Sequence, residues 1–213
     1  GWSAVDCGSM VERAMEQRRN HKRGKRSRRH EGRTLAMYVE KPSLRTHVSF
    51  EAGITQLGGH AILLKPEQIG IGTRESPEDV ARALSRWVDC LMARTFSHEL
   101  VEQLARDATI PVVNGLTDLL HPCQAMADLV TIAGVTKPTD ATLAYVGDGN
   151  NVANSLILLA DVMGLRVNVA TPASHPPGAR ILAKARKMAL VSGAEIVVGD
   201  DPVAAVKGVD FVY

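Results

Sequence analysis

The chain has 213 residues, 45% of them hydrophobic, enough to bury a core in one large or two small domains. Its 25 Lys and Arg against 23 Asp and Glu leave a net charge of +2, which excludes a polyanion-binding surface spread over the whole chain. No apolar run approaches the roughly 18 residues that span a bilayer, and the N-terminus lacks the ordered segments of a signal peptide, so a cytoplasmic location with no membrane partner is expected.

In chain order, the first marked feature is "RRNHKRGKRSRR", residues 18 to 29, with eight Lys or Arg and no acid. It lacks interleaved aromatics for base stacking and reads as a solvated helix end and loop, with nucleic acid not expected as a partner. Apolar runs at 34–39, 61–64, 89–93 and 111–113 then alternate with segments of helical character. That alternation is the pattern of βαβ units and a parallel sheet. A helix opening after Ser43 presents Phe50, Ile54 and Leu57 as its buried stripe and stops at Gly58 and Gly59. Another opens at Ser76-Pro77 with Glu78 and Asp79 in its first turn and repeats Val80, Leu84 and Val88. A third runs from Pro122 to about Ala133, with Met126, Leu129, Val130 and Ala133 as its apolar face. Cys7, Cys90 and Cys123 are odd in number and widely spaced, so they imply neither disulfides nor a zinc knuckle, and no metal is expected; Cys90, in an apolar run, is expected in the core.

A second alternation follows the loop "GVTKPTD", with strands at 142–147, 166–170, 195–198 and 209–213. The boundary is therefore placed near residue 134, giving domains 1–134 and 135–213. The chain starts without Met and stops on a strand at Tyr213, from which a truncated piece of a longer protein is expected.

In open parallel sheets, ligands sit outside the carboxyl ends of the strands. The first strand leads into "EKPSLRT", with Ser43, Arg45 and Thr46 at a helix start, where unpaired N–H groups and a partial positive charge favour an anion. The plain alternative is that Ser43 is an ordinary N-cap and Arg45 a solvated charge. The third strand ends in "LMARTF", which puts Arg94 at its tip, and "VVNGLTDLLHPCQ" supplies Asn114, His121 and Gln124. Singly these read as surface charge, cap and first-turn residues, but donors recur at successive strand ends of one sheet. In the second unit "YVGDGNNVANS" is a poor dinucleotide fingerprint, because Val152 stands at the third glycine position. Asn150 and Asn151 suit either a polar substrate group or a turn and helix cap.

Taken together, "EKPSLRT", "ARTF", "NGLTDLLHPCQ" and "VGDGNN" resemble the carbamoyltransferase family, and "GDGNN" points to its ornithine rather than its aspartate branch. The resemblance implies an α/β fold of two three-layer αβα domains with mainly parallel sheets, the second Rossmann-like and incomplete. It implies a carbamoyl phosphate domain followed by an amino-acid domain, and transfer of the carbamoyl group to the δ-amine of L-ornithine, giving L-citrulline and phosphate in arginine biosynthesis, with no cofactor. By the same resemblance, Ser43, Arg45 and Thr46, with the backbone at Leu44, hold the phosphate. Arg94 and His121 bridge phosphate and carbonyl oxygen, Gln124 holds the carbamoyl amide, and Asn151 contacts ornithine. Arg94, His121 and Thr46 are the catalytic set, and Arg45, Arg94 and His121 are expected to converge on one pocket. Homotrimers, or multiples of trimers, are implied.

There are departures from the family pattern. His47 replaces a second Arg, Val39 stands where Phe is usual, Gly70 takes the place of a Gln or His that reaches into a neighbouring subunit, and Asn154 replaces a commoner His. The chain ends before the family's "SMG" loop, "HCLP" segment and terminal helix, so the isolated chain is expected to lack part of the ornithine site and to turn over ornithine poorly. Two other readings remain: a carbamoyltransferase for another amine such as an acylated ornithine, and a non-catalytic anion-binding module.

Overall fold

The apolar runs become strands. A computed structural model of the protein describes residues 2–213, and in it β1 (Thr34–Val39), β2 (His60–Leu64), β3 (Cys90–Arg94) and β4 (Val112–Leu116) form one parallel sheet in the order β2-β1-β3-β4. A second parallel sheet, in the order β7-β6-β5-β8, contains β5 (Thr142–Val146), β6 (Arg166–Ala170), β7 (Glu195–Gly199) and β8 (Phe211–Val212). Two parallel-sheet α/β domains are what the alternation predicts.

The helices that follow the strands start where capping chemistry allows. They are α1 (Ala4–Lys22), α2 (Leu44–Gln56), α3 (Pro66–Ile69), α4 (Pro77–Trp87), α5 (His98–Asp107), α6 (Pro122–Ala133), α7 (Asn151–Met163), α8 (Ala179–Ser192) and α9 (Pro202–Val206). Ser43, Ser76 and Ser97 each accept a backbone N–H at the heads of α2, α4 and α5. The basic segment is the end of α1 and the loop beyond it, and its cations are largely exposed to solvent.

Packing divides the chain into two compact units, one spanning Arg19–Asp118 and the other comprising the chain up to Arg18 together with Leu119–Tyr213. In the Arg19–Asp118 unit the side chains of β1 alternate. Ala36 and Tyr38 pack with Ala81, Val101 and Leu104 of α4 and α5, while Leu35 and Met37 pack with Met92, Phe50 and Ile54 on the face of α2. In the other unit, Val11 of α1 and Ala125 and Leu129 of α6 join Leu143, Tyr145, Ile157 and Val167 in one core. The apolar stripe of α6 thus packs with the second sheet, although the patterning break lies after this helix, near residue 134.

Two expectations about the core need correction. Phe50, Ile54 and Leu57 are half-buried, and Thr46 is the buried residue of α2. Cys90 is half-buried too. These four half-buried residues line an open cavity of about 580 Å³ beneath α2, bounded also by Val113 and by the Arg33–Asp89 ion pair, so their outer surfaces lack packing partners.

Candidate functional site

The head of α2 is where the first sheet gathers hydrogen-bond donors. Ser43 is the N-cap, with φ −164° and ψ 116°, and its Oγ accepts from the Thr46 N–H at 3.3 Å. The plain reading of Ser43 therefore holds, but its hydroxyl also donates to Thr46 Oγ1 at 3.2 Å. Arg94, at the end of β3, donates from the same side to Thr46 Oγ1 at 3.1 Å and from Nε to the Lys41 carbonyl at 2.9 Å. With two bonds accepted, Thr46 Oγ1 keeps its own proton to donate. The N–H groups of Leu44 and Arg45, first in the helix, have no intrahelical acceptor. Their side chains are exposed.

Arg94 is only 8% exposed, and burial lowers the pKa of its guanidinium. No carboxylate of the described residues lies within ion-pair distance of it. Two of the five guanidinium N–H groups are accounted for, which leaves three without a described protein acceptor. A buried cation without a counterion is costly, and an arriving anion relieves the cost.

The loops around Arg94 are fastened by residues that sequence reasoning did not select. Glu40 accepts from the Phe96 N–H at 3.0 Å. Lys41 pairs with Asp118 at 2.7 Å and lies 5.2 Å above the centre of the Phe96 ring. Their position directly after β1, at its carboxyl end, was the available signal. Gly70 caps α3 in the left-handed conformation, φ 68°, and a Cβ there would lie 2.8 Å from the Arg74 Cβ. His47 forms an i,i+4 pair with Glu51 at 2.9 Å on the exposed side of α2.

The other predicted residues belong to the second compact unit. His121 stands at the N-cap of α6 without using its side chain as a cap, and its N–H donates to Ser155 Oγ at 2.7 Å. Ser155 in turn donates to the Asn151 carbonyl at 2.7 Å, so His121 and Asn151 are tied through one hydroxyl. Asn150 is the N-cap of α7, accepting from Val152 and Ala153. Gln124, in the first turn of α6, donates to Asp128 at 2.9 Å. The turn "GDGNN" is held through its main chain: Tyr145 Oη donates to the Asp148 carbonyl at 2.7 Å, and the Gly149 N–H to the His175 carbonyl at 2.8 Å. A Cβ at Gly149 would lie 2.1–2.4 Å from the Pro176 and Pro177 backbone, so close approach demands glycine there. Asn154 is 4% exposed, donating to the Leu119 carbonyl at 3.1 Å and accepting from the Gly178 N–H at 3.0 Å.

Residues 1–134 match the family model described as aspartate/ornithine carbamoyltransferase, carbamoyl-P binding domain, and residues 139–213 match the one described as the Asp/Orn binding domain. The chain is 49% identical to the ornithine carbamoyltransferase of Anoxybacillus flavithermus over 213 residues, covering 100% of this chain and 68% of that protein. Against that of Listeria innocua it is 50% identical over 183 residues, covering 85% of this chain and 58% of that one. The solved ornithine carbamoyltransferase of Pyrococcus furiosus superposes with a TM-score of 0.91 at 43% identity, over 100% of this chain and 68% of that one.

Proposed function

Because the chain belongs to the aspartate/ornithine carbamoyltransferase family, we propose that it provides the carbamoyl phosphate site of an enzyme that carbamoylates the δ-amine of L-ornithine to give L-citrulline and phosphate, serving arginine biosynthesis in the cytoplasm as a trimer-based assembly. The observation that carries this reading is Arg94: a buried guanidinium with no carboxylate partner among the described residues, joined through the Thr46 hydroxyl to the start of α2. In this reading the first-turn N–H groups, Arg45, Ser43 and Thr46 hold the phosphate. Arg94 and His121 bear on phosphate and carbonyl oxygen, Gln124 on the carbamoyl amide, and Asn151 on ornithine. Attack by the neutral amine on the carbamoyl carbon forms a tetrahedral intermediate, and collapse of that intermediate expels phosphate. Donors fixed before the reaction stabilise the developing oxyanion and the leaving group without reorganising.

Calorimetric titration of the purified chain with carbamoyl phosphate tests the proposal. Saturable binding that Arg94→Ala weakens about a hundredfold is expected. Binding that survives Arg94→Ala unchanged would overturn the reading, and salt-sensitive RNA binding with no response to carbamoyl phosphate would favour the anion-binding module instead.

A further inference from the structure

Gln124 and Asp128 stand one turn apart on α6, and the Gln124 amide nitrogen donates to Asp128 Oδ1 at 2.9 Å. An ionised carboxylate only accepts hydrogen bonds, so the atom facing it must be the amide nitrogen, which turns Gln124 Oε1 the other way. Gln124 is the sole hydrogen-bond partner of this carboxylate among the described residues, and Asp128 Oδ2 is buried without one. Burial raises the pKa of Asp128, and the Gln124 contact opposes that rise in part.

We propose that Asp128 is a positioning residue that locks the Gln124 amide in one orientation, so that the site presents an acceptor to the –NH2 of its ligand and selects carbamoyl phosphate over acyl phosphates of the same shape. The proposal rests on the reading in which Gln124 meets the carbamoyl amide. Without the lock, rotation of the amide by half a turn offers –NH2 to –NH2, and the discrimination is lost. Acetyl phosphate is the natural probe, because it replaces the amino group by a methyl that cannot donate and keeps the phosphate unchanged. A site built around a hydrogen bond rejects an analogue that lacks it far more strongly than an apolar site rejects a size mismatch.

The experiment is paired calorimetry of carbamoyl phosphate and acetyl phosphate on the purified chain. In the wild type a preference for carbamoyl phosphate of about tenfold or more is expected. Asp128→Leu should bring the two affinities to within about threefold of each other by weakening carbamoyl phosphate alone, with Asp128→Asn intermediate because its amide oxygen still accepts. Should Asp128→Leu fail to fold, the exchanged pair, Gln124→Glu combined with Asp128→Asn, decides. In that double variant the amide at position 128 donates to the carboxylate at position 124, which keeps a second oxygen for the ligand, so the preference should return relative to Asp128→Asn alone. A wild type without preference would overturn the assignment of Gln124 to the amide. A preference retained in both Asp128 single variants, or equal weakening of both ligands, would leave that assignment standing and overturn the lock.

Discussion

The two sheets end in turns that are held in different ways. After β1 and β3, side chains do the fastening: Ser43, Thr46 and Arg94 form a hydroxyl–guanidinium chain, and Glu40, Lys41 and Asp118 tie the neighbouring loops to one another. After β5, the groups held are main-chain ones: Gly149 lies against the Pro176–Pro177 backbone, Tyr145 Oη bonds the Asp148 carbonyl, and the Asn154 amide bonds main-chain groups of two loops. Ties among polar and charged side chains leave charge and donors in place for a ligand, whereas ties onto the main chain set shape. Substitutions at the first should therefore cost binding, and those at the second should cost stability.

The largest effect should come from the turn after β5. Gly149→Ala places a methyl 2.1 Å from the Pro176 carbonyl carbon, and neither backbone segment can retract like the end of a flexible side chain. A loss of about 4 kcal/mol in denaturant-derived stability is expected. A midpoint close to that of the wild type would show that the 175–178 loop yields freely, and the contrast between the two turns would dissolve.

Next comes Arg94. Arg94→Ala removes charge-assisted bonds to an anion in a poorly hydrated place, so carbamoyl phosphate affinity should fall about a hundredfold, while Arg45→Ala, at an exposed position, should cost about fivefold. The stability of Arg94→Ala should hold or rise, because a buried charge without a counterion is removed. Equal losses at the two arginines in calorimetry would contradict the difference in burial on which this ranking stands.

What could be read from the sequence follows the same division. The strands and the heads of α2 and α4 were legible because period, β-branching and serine capping, with Pro77 behind Ser76 at α4, are local. Ser43 shows that local legibility leaves function open: it is an ordinary cap and also the first member of the chain that reaches Arg94. The Lys41–Asp118 tie joins residues 77 apart, and no local pattern encodes such a partner. The half-buried state of Phe50, Ile54 and Cys90 was missed because periodicity reports which face of an element is apolar, and not how completely that face is covered.

A smaller effect is expected at Asn154. Asn154→Ala leaves the Leu119 carbonyl and the Gly178 N–H without the partner they now share. A main-chain group left unpaired when buried costs roughly 1–3 kcal/mol, and for these two part-buried groups together about 2 kcal/mol is expected in thermal or denaturant unfolding. Asn154→His, the commoner residue in relatives by resemblance, should recover part of this if its ring reaches one of the two groups. No recovery, together with a loss below about 0.5 kcal/mol for alanine, would remove Asn154 from the fastening of this unit.

The smallest effect, but one with a definite sign, concerns Asp161 in α7. Its side chain is fully buried; Oδ1 accepts from Ser192 Oγ at 3.1 Å, Oδ2 has no hydrogen-bond partner among the described residues, and burial raises its pKa above the ordinary 3.8 despite the opposing influences of Ser192 and Lys184. Between 3.8 and that raised value the folded protein binds more protons than the unfolded chain, so Asp161 makes stability fall as pH rises through the window. Above it, the native state carries a desolvated carboxylate. Asp161→Asn keeps an acceptor for Ser192 and removes the charge, so it should be more stable than the wild type near neutral pH by about 1 kcal/mol and lose that advantage on acidification. Asp128, whose pKa burial also raises, adds a contribution of the same sign to both proteins, so the informative quantity is the difference between the two stability curves. Parallel melting curves from pH 4 to 8, or an Asn variant less stable at neutral pH, would show that the Ser192 and Lys184 interactions outweigh the burial of the carboxylate.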